Sequence, residues 1–237
     1  FVDLGLVSGQ TLTLPNDASQ HLVQVLRLRP GDAFALFNGD GRDFSARLLA
    51  SSKSAAVARI EAAGEIEPPP VLSIHLGIGI SKGERMDFAL QKSVELGVTR
   101  ITPLFAQRSV VTLSGDRLTK RMRHWQGVVH AACEQSGRRR VPDLSAASTL
   151  VAWLGEAHSL PLMLDHLSQT PLPQVSPPDD AVTLLVGPEG GVTQVERVRA
   201  VSAGFIPVRL GPRVLRTETA PLAALAAIQS LWGDFRA

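Results

Sequence analysis

Three consecutive prolines, Pro68-Pro69-Pro70, limit what this chain can fold into more than any other stretch of it. Proline has no backbone N–H and a fixed φ, so such a run sits in neither a helix interior nor a central strand and stiffens an extended connector. Together with Glu65-Ile66-Glu67, the prolines mark a boundary that divides the 237 residues into domains 1–67 and 71–237. A chain of this length holds one or two globular domains.

On the N-terminal side, apolar runs at Leu12–Leu14, Ala33–Phe37 and Phe44–Leu49 are separated by Pro30-Gly31-Asp32 and Asn38-Gly39-Asp40-Gly41. Turn residues between short apolar runs predict a small β-barrel, with one helix over Ala18–Leu26. Beyond the prolines the period changes. Val71–Ile80 is a strand candidate, and Met86, Leu90, Val94 and Val98 recur at helical spacing. Strands are then expected at Ile101–Phe105, Leu160–Leu164, Val182–Val186 and Ile206–Leu210, with helices on both sides of the last. That alternation predicts a mostly parallel α/β sheet. Thr193 and Glu196 form a T-x-x-E capping box just after Gly190-Gly191, which sets the order strand, glycine loop, helix. Gln169–Asp180, with Pro171, Pro173, Pro177 and Pro178, is expected as a surface loop.

Composition excludes several classes. With 44% apolar and 19% charged residues the chain can bury a core, so disorder is not its main state. The longest uncharged run, Thr219–Gly233, has 15 residues, against the roughly 20 that a spanning helix needs. No basic-then-apolar leader is visible, and a cytoplasmic location is expected. Cys133 is the only cysteine, so no internal disulfide and no multi-cysteine zinc site can form. The six histidines show no H-E-x-x-H and no i, i+4 pair, and no metal is expected.

Net charge is only +2, so its distribution matters more than its total. Within residues 117–140, Arg117, Lys120, Arg121, Arg123, Arg138, Arg139 and Arg140 stand against a single acid, Glu134. Such a cluster suits phosphate neutralisation, although a charge run alone more often marks a solvated helix face with a basic C-terminal end.

Ligands on open α/β sheets bind outside the carboxyl ends of the strands, so the loops leaving strands hold the candidate chemistry. One is Gly187-Pro188-Glu189-Gly190-Gly191; another is Gly211-Pro212-Arg213-Val214-Leu215-Arg216-Thr217-Glu218-Thr219-Ala220; a third is Ser81-Lys82-Gly83-Glu84-Arg85. Glycines in the first let a flat ligand such as an adenine ring lie on backbone groups, although a plain strand-to-helix turn needs them as well. Two arginines, a glutamate and two threonines beside an apolar helix make the second loop the more informative. Gly77-x-Gly79 followed by Gly83 misses the dinucleotide-binding interval by one residue, and neither a P-loop nor a G-x-S-x-G elbow is present.

At these two C-terminal loops, Leu185-Val186-Gly187-Pro188-Glu189-Gly190-Gly191 and Leu210–Ala220, the sequence resembles the RsmE family, bacterial 16S ribosomal RNA (uracil-N3)-methyltransferases of the SPOUT superfamily. The resemblance runs through nearly the whole chain and includes residues 21–28, 36–41, 91–98 and 131–138. It implies an N-terminal PUA-like barrel that binds RNA, a C-terminal α/β domain with a trefoil knot that holds S-adenosylmethionine, and a homodimer acting on 16S rRNA or the small ribosomal subunit. Cofactor contacts would fall on Leu185, Gly187, Pro188, Gly190, Gly191, Leu210, Gly211, Leu215, Arg216, Thr219 and Ala220. RNA contacts are expected at Arg27, Arg29, Lys82, Arg85, Arg108, Arg123, Arg138 and Arg139.

Methyl transfer from a sulfonium is an in-line displacement, which asks the protein to position two reactants and exclude water. Uracil N3 carries a proton, so a base or a stabiliser of the uracil anion is needed too. Arg216 and Arg213 are the candidates for offsetting charge. Glu95 and Glu134 are the candidates for accepting the proton or orienting an arginine, and each also fits an ordinary salt bridge with Lys92 or Arg138. Two other readings fit the same residues: a SPOUT enzyme acting on another RNA or on ribose 2′-hydroxyls, and a non-enzymatic RNA-binding assembly factor.

Overall fold

A computed structural model of the chain describes residues 1–52, 55–111 and 113–236. They form two compact units, one of residues 1–69 with 133–141, the other of residues 70–132 with 142–237.

The first unit is built on four antiparallel strands: β1 (Thr11–Thr13), β2 (Ala33–Phe37), β3 (Asp43–Ser51) and β4 (Ala56–Ala63), in the order β1-β4-β3-β2. Strand β3 shows why its sequence forms a one-sided sheet. Phe44, Ala46 and Leu48 are buried while Ser45, Arg47 and Leu49 face outward, the two-residue period of a half-buried strand. Ala56, Ala58 and Ile60 of β4 complete that inner face, over which Val2, Leu6, Leu14 and Leu22 pack. Register shifts between Ser45 and Ala46 and between Leu48 and Ala50 let β3 bend over this core.

The helix expected over Ala18–Leu26 begins earlier and changes pitch. Helix α1 covers Asn16–Gln20, and His21–Val25 continue as a wider π-turn in which the Leu26 N–H donates to the His21 carbonyl at 3.0 Å. The wider turn buries Leu22 and leaves Val25 and Leu26 exposed. Cys133 is fully buried in this unit, and burial pushes its thiol up to about 11, so it stays protonated and unreactive at neutral pH.

The second unit is a parallel sheet. Its strands are β5 (Ser73–Gly79), β6 (Arg100–Phe105), β7 (Asp143–Leu144), β8 (Ser148–Thr149), β9 (Pro161–Leu164), β10 (Ala181–Val186) and β11 (Ile206–Val208). They run in the order β11-β9-β10-β5-β6-β7, with β8 also on β6. Central β5 pairs with β10 from Ser73 opposite Ala181 to Ile78 opposite Val186. Leu76, Gly77, Ile78 and Gly79 are buried in succession, as expected of a strand covered on both faces.

Five helices accompany the sheet: α2 (Glu84–Glu95), α3 (Gly115–Ser136), α4 (Leu150–Leu154), α5 (Gln194–Ser202) and α6 (Thr219–Trp232). Helix α2 buries Met86, Leu90 and Val94, while Val98, the fourth member of the apolar series, lies beyond the turn at Gly97, where φ is +84°. Helix α6 buries Pro221, Ala224, Leu225 and Ile228, and its Gln229 donates from Nε2 to the Leu96 carbonyl at 3.0 Å.

The Gly77-x-Gly79 pair has a packing role. A Cβ on Gly77 would collide with the Trp153 indole, and one on Gly79 with the backbone nitrogen and ring of Pro188. Both glycines therefore let other groups close on the middle of the sheet.

His75 of β5 sits against Trp153, with ring centroids 5.4 Å apart, and its Nε2 is 2.8 Å from Thr102 Oγ1. Burial, then the charges of Arg100 and His158, lower it from 6.5 to about 4. The native imidazole is thus neutral while an unfolded chain takes up the proton first. This contribution is complete above pH 6.5 and is lost as pH falls toward about 4. Urea unfolding is expected to show a midpoint that drops across this window, with a shallower drop in His75→Gln; equal slopes for both proteins would exclude His75 as the source.

Candidate active site at the carboxyl ends of the parallel strands

In a parallel sheet all strands end on the same side, so their outgoing loops converge there. The loops after β9, β10 and β11 enclose a cleft of 560 Å³ in the second unit, joined by Arg85 after β5 and Arg108 after β6. Segment 187–191 forms one wall and segment 210–218 another.

Three contacts hold these walls. Thr217, buried beneath the second loop, donates from Oγ1 to the Gly187 carbonyl at 3.1 Å and lies 3.2 Å from Ser81 Oγ. Glu189 accepts the Lys82 N–H at 2.9 Å and has the Arg85 guanidinium 3.6 Å away. Arg108 donates to the Gly190 carbonyl at 3.1 Å, and its own Cβ lies so close that a Cβ on Gly190 would approach it to 2.7 Å.

The capping box at the start of α5 extends this framework. Thr193 Oγ1 accepts the Glu196 N–H at 3.2 Å, and Glu196 Oε2 accepts the Thr193 N–H at 2.9 Å. The same carboxylate, only 2% exposed, also takes the Gln107 N–H on Oε1 at 2.7 Å. One buried anion thus ties the loop after β6 to the loop after β10, two charge-assisted bonds from backbone N–H groups offsetting its desolvation.

Of the residues expected at the cofactor, Gly187, Pro188, Gly190, Gly191, Leu210, Gly211, Leu215, Arg216 and Ala220 line the cleft. Two do not: Leu185 is buried in the core with Met163, Trp153 and Phe205, and Thr219 opens α6 outside the lining. Arg213 and Arg216 are exposed and line the cleft. Glu95 does not; its Oε1 accepts from Lys92 Nζ at 2.7 Å. Glu134 lies in the first unit, where it accepts from the amino group of Phe1 at 2.6 Å.

The residues expected at RNA are dispersed. Arg85 and Arg108 line the cleft, Lys82 is exposed beside it, and Arg123 is exposed on α3. Arg27, at φ +56°, and Arg29 are exposed on the first unit. Arg138 and Arg139 line a 380 Å³ pocket of that unit, together with Phe37 and His21. Arg139 has a further structural part: its N–H donates to Glu67 Oε2 at 2.6 Å and its guanidinium to Asp43 at 3.3 Å.

The loop after β9 was not expected at the site. Asp165, His166 and Leu167 line the cleft, with Asp165 paired to Arg197 at 2.6 Å. The available signal was the strand at Leu160–Leu164, whose carboxyl end points to the same side as the other two. Among the described residues, no group of three or more metal-ligating side chains gathers, and no helix is long and apolar enough to cross a membrane.

The comparisons agree with this architecture. A family model described as an RNA methyltransferase domain matches residues 67–229, and one described as an RNA methyltransferase PUA domain matches residues 14–61. The class is therefore an RNA methyltransferase with a PUA domain ahead of its parallel sheet. Ribosomal RNA small subunit methyltransferase E of Buchnera aphidicola is 32% identical over 99% of this chain and 96% of its own length; that of Bacillus subtilis is 30% identical over 92% and 89%. The crystal structure of ribosomal RNA small subunit methyltransferase E from Neisseria gonorrhoeae, bound to S-adenosyl methionine, is 43% identical, covers 99% of this chain and 97% of its own, and superposes with a TM-score of 0.91. A putative methyltransferase from Legionella pneumophila in complex with the same cofactor is 39% identical over 98% and 97%, with a TM-score of 0.95. This chain belongs to the ribosomal RNA small subunit methyltransferase E family.

Replacing Glu196 by glutamine keeps its shape and removes the charge from the loop tie. A loss of about 1–3 kcal/mol in urea-unfolding free energy is expected; an unchanged value would show that the tie is not needed to hold the loops.

Proposed function

We propose that this protein transfers a methyl group from S-adenosylmethionine to N3 of a uridine in 16S rRNA of the small ribosomal subunit. The observation that carries this reading is that the two glycine- and proline-bearing loops line one cleft, with Arg213 and Arg216 beside them. The cofactor fits the residues present. The cleft's size is in the range of small-molecule sites, about 300–1,000 Å³. Gly187, Gly190, Gly191 and Gly211 present backbone without side chains along its lining. Family members crystallised with this cofactor support the same assignment.

When bound, S-adenosylmethionine supplies a methyl group on a sulfonium, open to in-line displacement. The chain's own work is positioning and charge. Gly187, Pro188, Gly190, Gly191, Leu210, Gly211, Leu215, Arg216 and Ala220 would hold the donor, with Leu185 in the core beneath the sheet end and Thr219 at the start of α6 outside the lining. Arg216 and Arg213 would offset the charge that appears on uracil as N3 loses its proton. Arg27, Arg29, Lys82, Arg85, Arg108, Arg123, Arg138 and Arg139 would meet RNA. Residues 1–67 would act as the RNA-binding domain and 71–237 as the catalytic one, in a cytoplasmic homodimer. A trefoil knot belongs to this reading. Its support is the path of segment 211–218, which leaves the β11 edge and reaches Gly187 and Ser81 at the ends of β10 and β5 before α6 begins.

The deciding experiment incubates the protein with labelled methyl donor and small-subunit RNA lacking the modification, or subunits assembled on it, and identifies the nucleoside by mass analysis. Methylation of the uracil ring at N3 is expected. A ribose-methylated product would move the acceptor to a 2′-hydroxyl, and no transfer to either substrate would favour an assembly factor.

Gly190→Val tests the cofactor wall, because its Cβ would lie 2.7 Å from Arg108 Cβ and 3.0 Å from the Arg108 carbonyl oxygen. Affinity for S-adenosylmethionine in a calorimetric titration should fall by about tenfold or more, about 1.4 kcal/mol. Wild-type affinity in this variant would take the glycine loop out of the binding site.

A further inference from the structure

Removing the uracil N3 proton requires an acceptor near the methyl donor, and the carboxylates that line the cleft differ in how far they are already engaged. Asp165 is paired with Arg197 at 2.6 Å, and its Oδ1 accepts the Leu167 N–H at 2.9 Å. Glu189 accepts the Lys82 N–H on Oε1, which also faces Arg85, so that oxygen is fixed in the loop tie while its buried Oε2 has no hydrogen-bond partner. Glu218 has no hydrogen bond or ion pair among the described residues, and its buried Oε2 has no partner. It sits at the N-terminal boundary of α6 without capping that helix through its side chain. A carboxylate so placed keeps its lone pairs available, whereas buried polar groups are ordinarily satisfied and exceptions call for a reason.

The position of Glu218 strengthens the case. It directly follows Thr217, whose hydroxyl is anchored to Gly187, and it stands two residues from Arg216 on the same wall. Acceptor and cation are therefore carried by one short, anchored segment. His166 also lines the cleft, but it is exposed on a loop and makes no hydrogen bond among the described residues.

The geometry points to Glu218 as the catalytic residue that accepts the N3 proton of the target uracil, an assignment that rests on the methyl-transfer reading above. The N3–H bond breaks and its proton passes to the Glu218 carboxylate. The pair left on N3 forms the new N–C bond to the methyl carbon as the C–S bond breaks, and that bond's electrons remain on sulfur. Uridine becomes N3-methylated, the sulfonium becomes a thioether, and the proton on Glu218 leaves to solvent. Arg216, adjacent on the same wall, offsets the charge that resides briefly on uracil.

The test compares wild type, Glu218→Gln, Glu218→Asp and His166→Gln, measuring turnover on unmodified small-subunit RNA or subunits and, separately, calorimetric affinity for S-adenosylmethionine. Glu218→Gln should lower kcat by about 100-fold or more. Its cofactor affinity should stay within about twofold of wild type. Glu218→Asp should recover part of the rate, and His166→Gln should lower kcat far less than Glu218→Gln does. Near-normal kcat in Glu218→Gln overturns the proposal. So does weakened cofactor affinity with kcat restored at saturating donor, which would make Glu218 a cofactor ligand, and so does collapse of kcat in His166→Gln alone. If Glu218→Gln binds no cofactor, Glu218→Asp against Glu218→Asn decides: an aspartate advantage of about tenfold supports the base, and equal rates overturn it. An inactive wild type would instead overturn the methyl-transfer reading, and this assignment with it.

Discussion

Thr217 stands where three chain segments meet. Its hydroxyl, on a residue only 9% exposed, donates to the Gly187 carbonyl and lies beside Ser81 Oγ, so the ends of β5 and β10 and the segment leading into α6 share one hydrogen-bonded junction. Without it, segment 211–218 would be an exposed loop leaving an edge strand. With it, the segment becomes a wall of the cleft and delivers Arg216 and Glu218 on either side of the anchored residue. Gly79 serves the same closure from below, since any side chain there would push Pro188 away. The cleft is thus a consequence of close backbone approach across the sheet ends, and the positions of its charged groups follow from that approach.

The parts of this architecture that could be read from sequence are those with a strong local signal. Ala33–Phe37 is a strand with the expected bounds because turn residues bracket it on both sides, and the Thr193–Glu196 capping box forms as its spacing requires. Strand β4 was missed because AVARIEAA is half alanine, with only Val57 and Ile60 β-branched and no aromatic residue to mark a strand; pairing with β3 overrides that local preference. A helix face within residues 117–140 was readable from the basic run, but the full span of α3, Gly115–Ser136, was not, since its glycines at 115 and 127 weaken the composition expected of a helix. A boundary drawn at the prolines could not reveal that residues 133–141 belong with the first unit, because membership across more than 60 intervening residues is a tertiary fact.

Site legibility followed the same division. The glycine loop and the arginine-rich segment were visible as unusual local composition, and they line one cleft. Asp165 and His166 carry no such signature; their place at the cleft depends on β9 lying between β10 and β11. Glu95 was a reasonable candidate only while its neighbours were unknown, and the 2.7 Å contact with Lys92 shows the ordinary i, i+3 pair on the surface of α2. Part of the basic cluster also has an internal use. Glu67 accepts the backbone N–H groups of both Arg139 and Arg140, and its carbonyl accepts from Arg140 Nε at 3.1 Å. Those arginines therefore help fix residues 138–141 within their unit, whereas Arg117, Lys120 and Arg123 are exposed on α3.

A net charge of +2 understates the field at the cleft. Of the acidic groups there, Asp165 is offset by Arg197 and Glu189 by Arg85, while Glu218, Arg209, Arg213 and Arg216 line the same cleft without an ion-pair partner among the described residues. Clefts with walls of low dielectric focus such an excess, so an anionic strand is drawn toward the strand ends although the molecule as a whole is nearly neutral. On the proposed methyl-transfer reading, the same excess would favour a deprotonated uracil over the neutral base, because charge that develops close to a guanidinium in such a cleft is stabilised more strongly than in water. Attraction of the polyanion and acidification of its base would then be two effects of one arrangement, and both would depend on the short segment that Thr217 holds in place.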